Sequence, residues 1–165
     1  MTPVSSFYGN SALGARREQA YFRHLTVDEG LDVVNIPTDI SLAEGAVQTV
    51  DALRRGASVI YQATFQSGPW HGRSDFLIRV PKPSVLGAWS YEPLETKRAL
   101  STKAGALVQL CFYADLLSQM QGVQPDWVHT VLGNDSGGEI SFRAVHRVLP
   151  KSETRFRGSI QAVAE

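Results

Sequence analysis

Three runs of β-forming residues follow one another between residues 59 and 97, and the period of the sequence then changes abruptly. Residues 59–65 (VIYQATF) are rich in β-branched and aromatic side chains, Gly68-Pro69 interrupts them, and residues 72–80 (GRSDFLIRV) follow after a short turn. Pro81, Pro83 and Gly87 mark a second connection before residues 89–97 (WSYEPLETK). There Pro93 predicts an edge or a bulge, because proline cannot donate to a strand ladder. From Ser101 to Gly122, Ala104, Leu107, Val108, Cys111, Phe112, Leu116 and Met120 recur at helical spacing, and Gly122 closes the helix. Residues 128–132 and 140–145 read as two more strands flanking a hairpin or crossover turn at 133–138.

Upstream, residues 25–53 hold six acids (Asp28, Glu29, Asp32, Asp39, Glu44, Asp51) and no Lys or Arg. Within this stretch Ser41 and Glu44 stand at capping-box spacing, which predicts a helix over about 41–55. Leu42, Ala46, Val50 and Leu53 would form its buried stripe, with Arg54, Arg55 and Gly56 suited to its end. Residues 1–23 lack strong periodicity and read as a loosely held arm. The remainder, 24–165, reads as one domain without repeats, and a polar segment after Pro150 predicts a terminal helix. The order is α-β-β-β-α-β-β with that final helix, an α/β domain.

At 165 residues the chain suits one domain, and 43% apolar with 19% charged residues is ordinary globular composition. Sixteen basic residues balance sixteen acids. That excludes a strongly basic scaffold that coats nucleic acid or anionic membrane by charge alone, though not a local basic groove. One cysteine excludes an intramolecular disulfide and a four-cysteine zinc or iron–sulfur site. No apolar run approaches the ~18 residues that span a bilayer, so the expectation is a soluble, cytoplasmic protein with no membrane partner.

The chemistry-bearing residues are Asp75, Glu95 and Lys97. Glu95 and Lys97 are two apart in one predicted strand and project from the same face. If that strand pairs with the one carrying Asp75, two carboxylates and a lysine converge near the sheet end. Two carboxylates with a backbone carbonyl and waters suit Mg²⁺. A lysine beside such a metal can orient, or deprotonate, a water that attacks a phosphodiester. By spacing alone, the same three residues fit a surface salt bridge on an exposed strand better than a site. Gln109 and Tyr113 lie one helical turn apart and share a face.

The ordered set G-R-S-D-F-L, L-E-T-K and Q-L-C-F-Y resembles the RecB-like branch of the PD-(D/E)XK nucleases. The likeness extends over about residues 44–133, through A-L-R-R-G-A-S-V-I-Y-Q-A, W-H-G-R-S-D-F-L, Y-E-P-L-E-T-K and A-D-L-L-S-Q-M-Q-G. It implies a restriction-endonuclease-like core, a central mixed sheet flanked by helices. It also implies that Asp75, Glu95 and the Thr96 carbonyl ligate Mg²⁺ or Mn²⁺, with Lys97 as the catalytic lysine. Gln109 and Tyr113 would be the family's Q-x-x-x-Y motif, beside the active site and holding DNA. Glu44 takes the first-helix place where relatives carry His or Glu, although its capping-box role explains it without metal. Relatives with iron–sulfur clusters carry four cysteines, so no cluster is expected. Larger relatives are fused to helicase modules, but no phosphate-binding G-x-x-x-x-G-K-[ST] loop occurs here, and any motor must come from another chain.

The expected function is therefore metal-dependent hydrolysis of phosphodiester bonds in DNA. The rivals are an RNA-directed nuclease and a non-catalytic docking module of a repair or defence complex. Arg73 and Lys103 are candidate phosphate contacts, though isolated cations are usually solvated. The basic run of Arg143, Arg147, Lys151, Arg155 and Arg157 fits either a phosphate contact or a solvated face. His24, His71, His129 and His146 lack ligand spacing and read as structural. Cys111 reads as a small core residue, and Trp70, Trp89 and Trp127 as core or strand-edge packing rather than a base-stacking platform.

Overall fold

The computed structural model describes residues 12–98, 104–133 and 140–147. In chain order these form α1 (Ala12–Arg23), which runs on into a π-helical turn at His24–Asp28, then β1 (Val33–Asn35), α2 (Leu42–Arg55), β2 (Val59–Ser67), β3 (Trp70–Val80), β4 (Ser90–Arg98), α3 (Ala104–Gln121), β5 (Trp127–Gly133) and β6 (Ile140–Arg147). The six strands make one mixed sheet in the order β1-β2-β3-β4-β5-β6. β1–β2 and β4–β5 are parallel, and the other three pairings are antiparallel.

Parallel neighbours need a crossover, and α2 and α3 supply the two. Both crossovers step in the same direction between strands of the same sense, so right-handedness puts both helices on one face. The core agrees. Ala52 and Leu53 of α2 share a buried cluster with Tyr113, Leu116 and Leu117 of α3, packed on Ile60, Leu77 and Tyr91 of the sheet. On the other face Tyr21 and Leu25, from α1 and its π-turn, pack against Val59, Phe76, Leu94 and Val131. The sheet is thus covered on both sides, which makes the chain an α/β protein.

Several expectations hold in kind and shift in detail. Residues 12–23, expected in a loose arm, form α1, because Tyr21, Phe22 and Leu25 give that segment an apolar edge that the sheet buries. β1 was not foreseen, being a three-residue strand held by pairing with β2. α2 carries the full capping box of Ser41 and Glu44, and Gly56 ends it in the left-handed region with φ 73. Its fully buried residues, however, are Gly45, Thr49, Ala52 and Leu53 rather than the Leu42–Ala46–Val50 stripe. Small residues let α2 approach β2 closely: Thr49 Oγ1 donates to the Gly45 carbonyl (2.8 Å) and accepts from the Thr64 N–H (2.9 Å). β5 and β6 pair antiparallel, as the two strands of a hairpin do. The helix expected after Pro150 lies outside the described residues.

Pro93 is not on an edge strand, since β4 lies between β3 and β5. The β4–β5 ladder begins only at Leu94↔His129, so the missing N–H of Pro93 faces a place where β5 has not yet joined. Two residues earlier, with the same backbone orientation, Tyr91 has its N–H and carbonyl satisfied by the side-chain amide of Gln121 (2.8 and 3.2 Å). That amide substitutes for a neighbouring strand and anchors the end of α3 to the start of β4. Deeper in the β4–β5 pair, His129 Nε2 lies 2.6 Å from Glu92 Oε2 in a buried contact, and Glu92 also accepts from the Trp127 N–H. His129 is structural, as expected.

Candidate functional site

Asp75 and Glu95 come together where β3 and β4 part. The antiparallel ladder between these strands runs from Val80↔Ser90 to Phe76↔Leu94 and stops one step short of Asp75 and Glu95. Beyond it the Thr96 N–H, which points toward β3, finds the Asp75 side chain: N to Oδ2 is 3.1 Å, and the Thr96 hydroxyl lies 3.4 Å from the same oxygen. Asp75 thus occupies the opening between two strands, and Glu95 sits beside it at 2% exposure, level with Thr130 of β5. Lys97 holds the β4 position two residues on, opposite Leu132. Lys103 lies outside the described residues.

β2 contributes a distortion at the same level. In a regular strand residues two apart share a face. Val59 and Tyr61 belong to the α1-side cluster, whereas Ala63 and Phe65 belong to the cluster under α2 and α3, so the strand turns over at Gln62. Gln62 has φ 57 and is the one non-glycine residue with positive φ among the described residues. Its register partner, between the pairs Tyr61↔Phe76 and Ala63↔Ser74, is Asp75. A left-handed conformation costs a β-carbon residue about 1–2 kcal/mol. Such strain persists where surrounding contacts hold it, commonly at functional sites.

The contact that holds it leads to a residue the sequence reading missed. The Gln62 amide donates to Glu18 on α1. Tyr61 also hydrogen-bonds that carboxyl group. Burial first, then the charge of Asp75 and to a lesser degree that of Glu95, pushes the Glu18 pKa up to about 7, against the two hydrogen bonds that favour the carboxylate. Tyr61 is held far above the ordinary phenol range by burial and by the Glu18 charge, so it stays a neutral donor. Three carboxyl groups from α1, β3 and β4 therefore share one electrostatic neighbourhood. A sequence signal existed: Glu18 precedes Tyr21, Phe22 and Leu25 by three, four and seven residues, the spacing of one helix face.

Glu44 is not part of this group. Its carboxylate is exposed and bound to the Ser41 N–H (3.1 Å) and hydroxyl (2.7 Å), which lowers its pKa. It is a helix cap, and the first-helix carboxylate near Asp75 is Glu18. Arg73 donates to the Thr38 carbonyl (3.2 Å) and so ties β3 to the β1–α2 connection. Gln109 and Tyr113 do form a pair, with the Gln109 amide donating to the Tyr113 hydroxyl at 2.9 Å. Tyr113 is buried, stacks on Phe65 with ring centroids 5.6 Å apart, and covers Gly72. Cys111, expected in the core, is exposed, because α3 is apolar on nearly every side and its sequence does not choose a face.

Gly72 shows how tightly the pair is seated. A β-carbon there would stand 2.9 Å from Cε1 and 3.0 Å from the hydroxyl of Tyr113. Gly72→Ala is therefore expected to push the ring off Phe65 and destabilise the fold by about 1–3 kcal/mol, read as a lower midpoint in urea unfolding.

The donor set suits a hard divalent cation. The charges of Asp75 and Glu95 raise the proton affinity of Glu18, and oxygen ligands are what Mg²⁺ and Mn²⁺ prefer. Among the described residues no three His, Cys, Asp or Glu side chains form a ready-made ligand cluster. The carboxyl groups thus do not close a full coordination shell by themselves, and Mg²⁺ ordinarily keeps several waters. No helix among the described residues is long and apolar enough to cross a membrane. No protein-family model matches the chain, and no curated protein matches it.

Proposed function

We propose that the chain is a metal-dependent nuclease that hydrolyses phosphodiester bonds in DNA, of the RecB-like PD-(D/E)XK kind that its motifs resemble. One observation carries this reading: Asp75 and Glu95, read from the sequence as a pair, flank the opening between β3 and β4, and Glu18 joins them from α1. The element order lends support. With α1 on one face, the β2-β3-β4 meander, α3 on the other face and β5 parallel to β4 follow the helix, three strands, helix and strand of a restriction-endonuclease-like core.

In this reading Asp75, Glu95 and the Thr96 carbonyl hold Mg²⁺ or Mn²⁺, with Glu18 in the place first given to Glu44. The bound ion supplies stabilisation of phosphoryl charge and a more acidic water. Lys97 orients the attacking water and takes or shares its proton. Tyr61 and Gln62 fix the Glu18 carboxyl by hydrogen bonds, so that it meets the site in one orientation. Gln109, held by the hydroxyl of the buried Tyr113, is the polar group on α3 that meets the DNA strand.

The test is cleavage of labelled single- and double-stranded DNA by the purified chain with Mg²⁺, Mn²⁺ or EDTA. Metal-dependent cutting that EDTA stops is the expected result. Folded protein that cuts nothing in any lane would instead favour a non-catalytic docking module.

A further inference from the structure

Tyr61 and Gln62 are neighbours in β2, yet both hydrogen-bond one carboxyl group, that of Glu18 on α1. Regular strand geometry forbids this, because successive side chains point to opposite faces of a sheet. The left-handed backbone at Gln62 (φ 57) removes the conflict by turning the strand over within one residue. β3 turns over beside it. Ser74 and Phe76 lie level with Ala63 and Tyr61, which sit on opposite faces, so β3 changes face at Asp75.

The bend is pinned from a second side. The β1–β2 ladder ends at Asn35↔Tyr61, and beyond it α2 takes over the backbone of β2. The Thr64 N–H donates to Thr49 Oγ1 of α2 at 2.9 Å, and the Thr64 hydroxyl donates to the Gln62 carbonyl at 3.2 Å. Thr49 and Thr64 are both fully buried. Gly45 allows the close approach, since a β-carbon there would stand 2.9 Å from Thr64 Oγ1. Thus α2 holds the backbone of the bend, and α1 holds its side chain. Backbone strain persists where surrounding contacts over-determine it, and what this bend produces is an alignment of Glu18 with Asp75. Glycine or asparagine would take the left-handed backbone more cheaply. What glutamine adds at this position is the amide that reaches Glu18.

We propose that Gln62 is a positioning residue, whose left-handed bend and side-chain amide hold the Glu18 carboxyl toward a cation bound by Asp75 and Glu95. The cation rests on the nuclease reading above, whereas the alignment rests on the bend and its contacts to two helices.

The experiment compares the full chain with Gln62→Gly, Gln62→Asn and Gln62→Val by two readouts. Mn²⁺ uptake at pH 8 is followed by the electron paramagnetic resonance of the free ion, and urea unfolding is measured in EDTA. Glycine and asparagine accept positive φ, but glycine has no amide and that of asparagine is one methylene short. Both variants should therefore unfold near the wild-type midpoint. Their Mn²⁺ affinity is expected to fall about tenfold, the usual cost of losing a group that orients a metal ligand. Gln62→Val, whose β-branched side chain resists the bend, should unfold at a lower urea concentration. Wild-type Mn²⁺ affinity in folded Gln62→Gly and Gln62→Asn overturns the proposal. So does an affinity that only follows stability across the three variants, which is the mark of a structural role. A wild-type chain that takes up no Mn²⁺ overturns it as well. The nuclease reading fails separately. Gln62-dependent Mn²⁺ binding by a chain that cuts no DNA leaves the positioning role standing. Cutting by a chain whose Mn²⁺ affinity ignores Gln62 leaves only the nuclease.

Discussion

Asp75→Asn lowers metal-dependent DNA cleavage by about 10³-fold and leaves the melting temperature near that of wild type. The variant isolates charge from structure. Asparagine keeps an oxygen in place of Asp75 Oδ2, so the Thr96 N–H retains its acceptor and the opening between β3 and β4 is preserved. The negative charge that would hold a cation there is lost. Asp75→Ala removes both, and is expected to cost a further 1–3 kcal/mol or so for the backbone donor left without its partner. Single-turnover cleavage with Mn²⁺, run beside thermal melts of both variants, separates the two effects. Full cleavage by Asp75→Asn would place the catalytic centre elsewhere. Lys97→Ala runs alongside, and should lose as much cleavage as Asp75→Asn only if Lys97 serves the same step.

The second large effect is a pH dependence that belongs to Glu18. Its ordinary pKa is 4.5, and in the folded protein it is about 7. Between those values the folded state holds a proton that the unfolded state has released, so stability falls as pH rises through this window. Below about 4.5 both states are protonated and the difference vanishes. Glu18→Gln has no charge to lose and keeps an oxygen for the Gln62 amide. The variant should therefore match wild type at the acid end and become the more stable protein above pH 7. The shift corresponds to at most about 3 kcal/mol. Solvent screening of a partly buried carboxyl reduces the expected gain to about 1–2 kcal/mol. Urea unfolding of both proteins at pH 4.5, 6 and 8 measures it. On the metal reading, Mn²⁺ stabilises wild type at pH 8 more than it stabilises Glu18→Gln, because a cation there offsets the charge that Asp75 and Glu95 oppose. Equal stability of the two proteins at pH 8 would remove Glu18 from the site.

Much of the architecture was legible because it is written in local chemistry. Ser41, Glu44 and Gly56 mark the ends of α2, Gly68-Pro69 marks the β2–β3 turn, and the change from strand-like to helical spacing after Lys97 marks the crossover. The pairing of the Asp75 and Glu95 strands entered the sequence reading only as a condition, which the antiparallel β3–β4 ladder meets. What failed, failed for a common reason. Glu44 and Glu18 are both acids on helices, and Glu44 was named because its helix was read as the first one before the strands, residues 1–23 having been read as a loose arm. Only the packing of α1 across the sheet shows that Glu18 is the one beside Asp75. Cys111 was assigned to the interior, but α3 is apolar on nearly all sides and leaves it exposed.

By itself, then, the order of residues determined the helices and strands from α2 onward and where they stop, but not α1 or β1, and it brought two carboxylates together on the condition that their strands pair. These are decided by neighbours within a few positions along the chain. The tertiary structure alone decided which face of each helix is buried, that β2 turns over at Gln62, and that α1 brings a third carboxyl group to the gap between β3 and β4. Those outcomes depend on contacts between segments far apart in sequence, where burial and charge act through space and leave no local pattern to read.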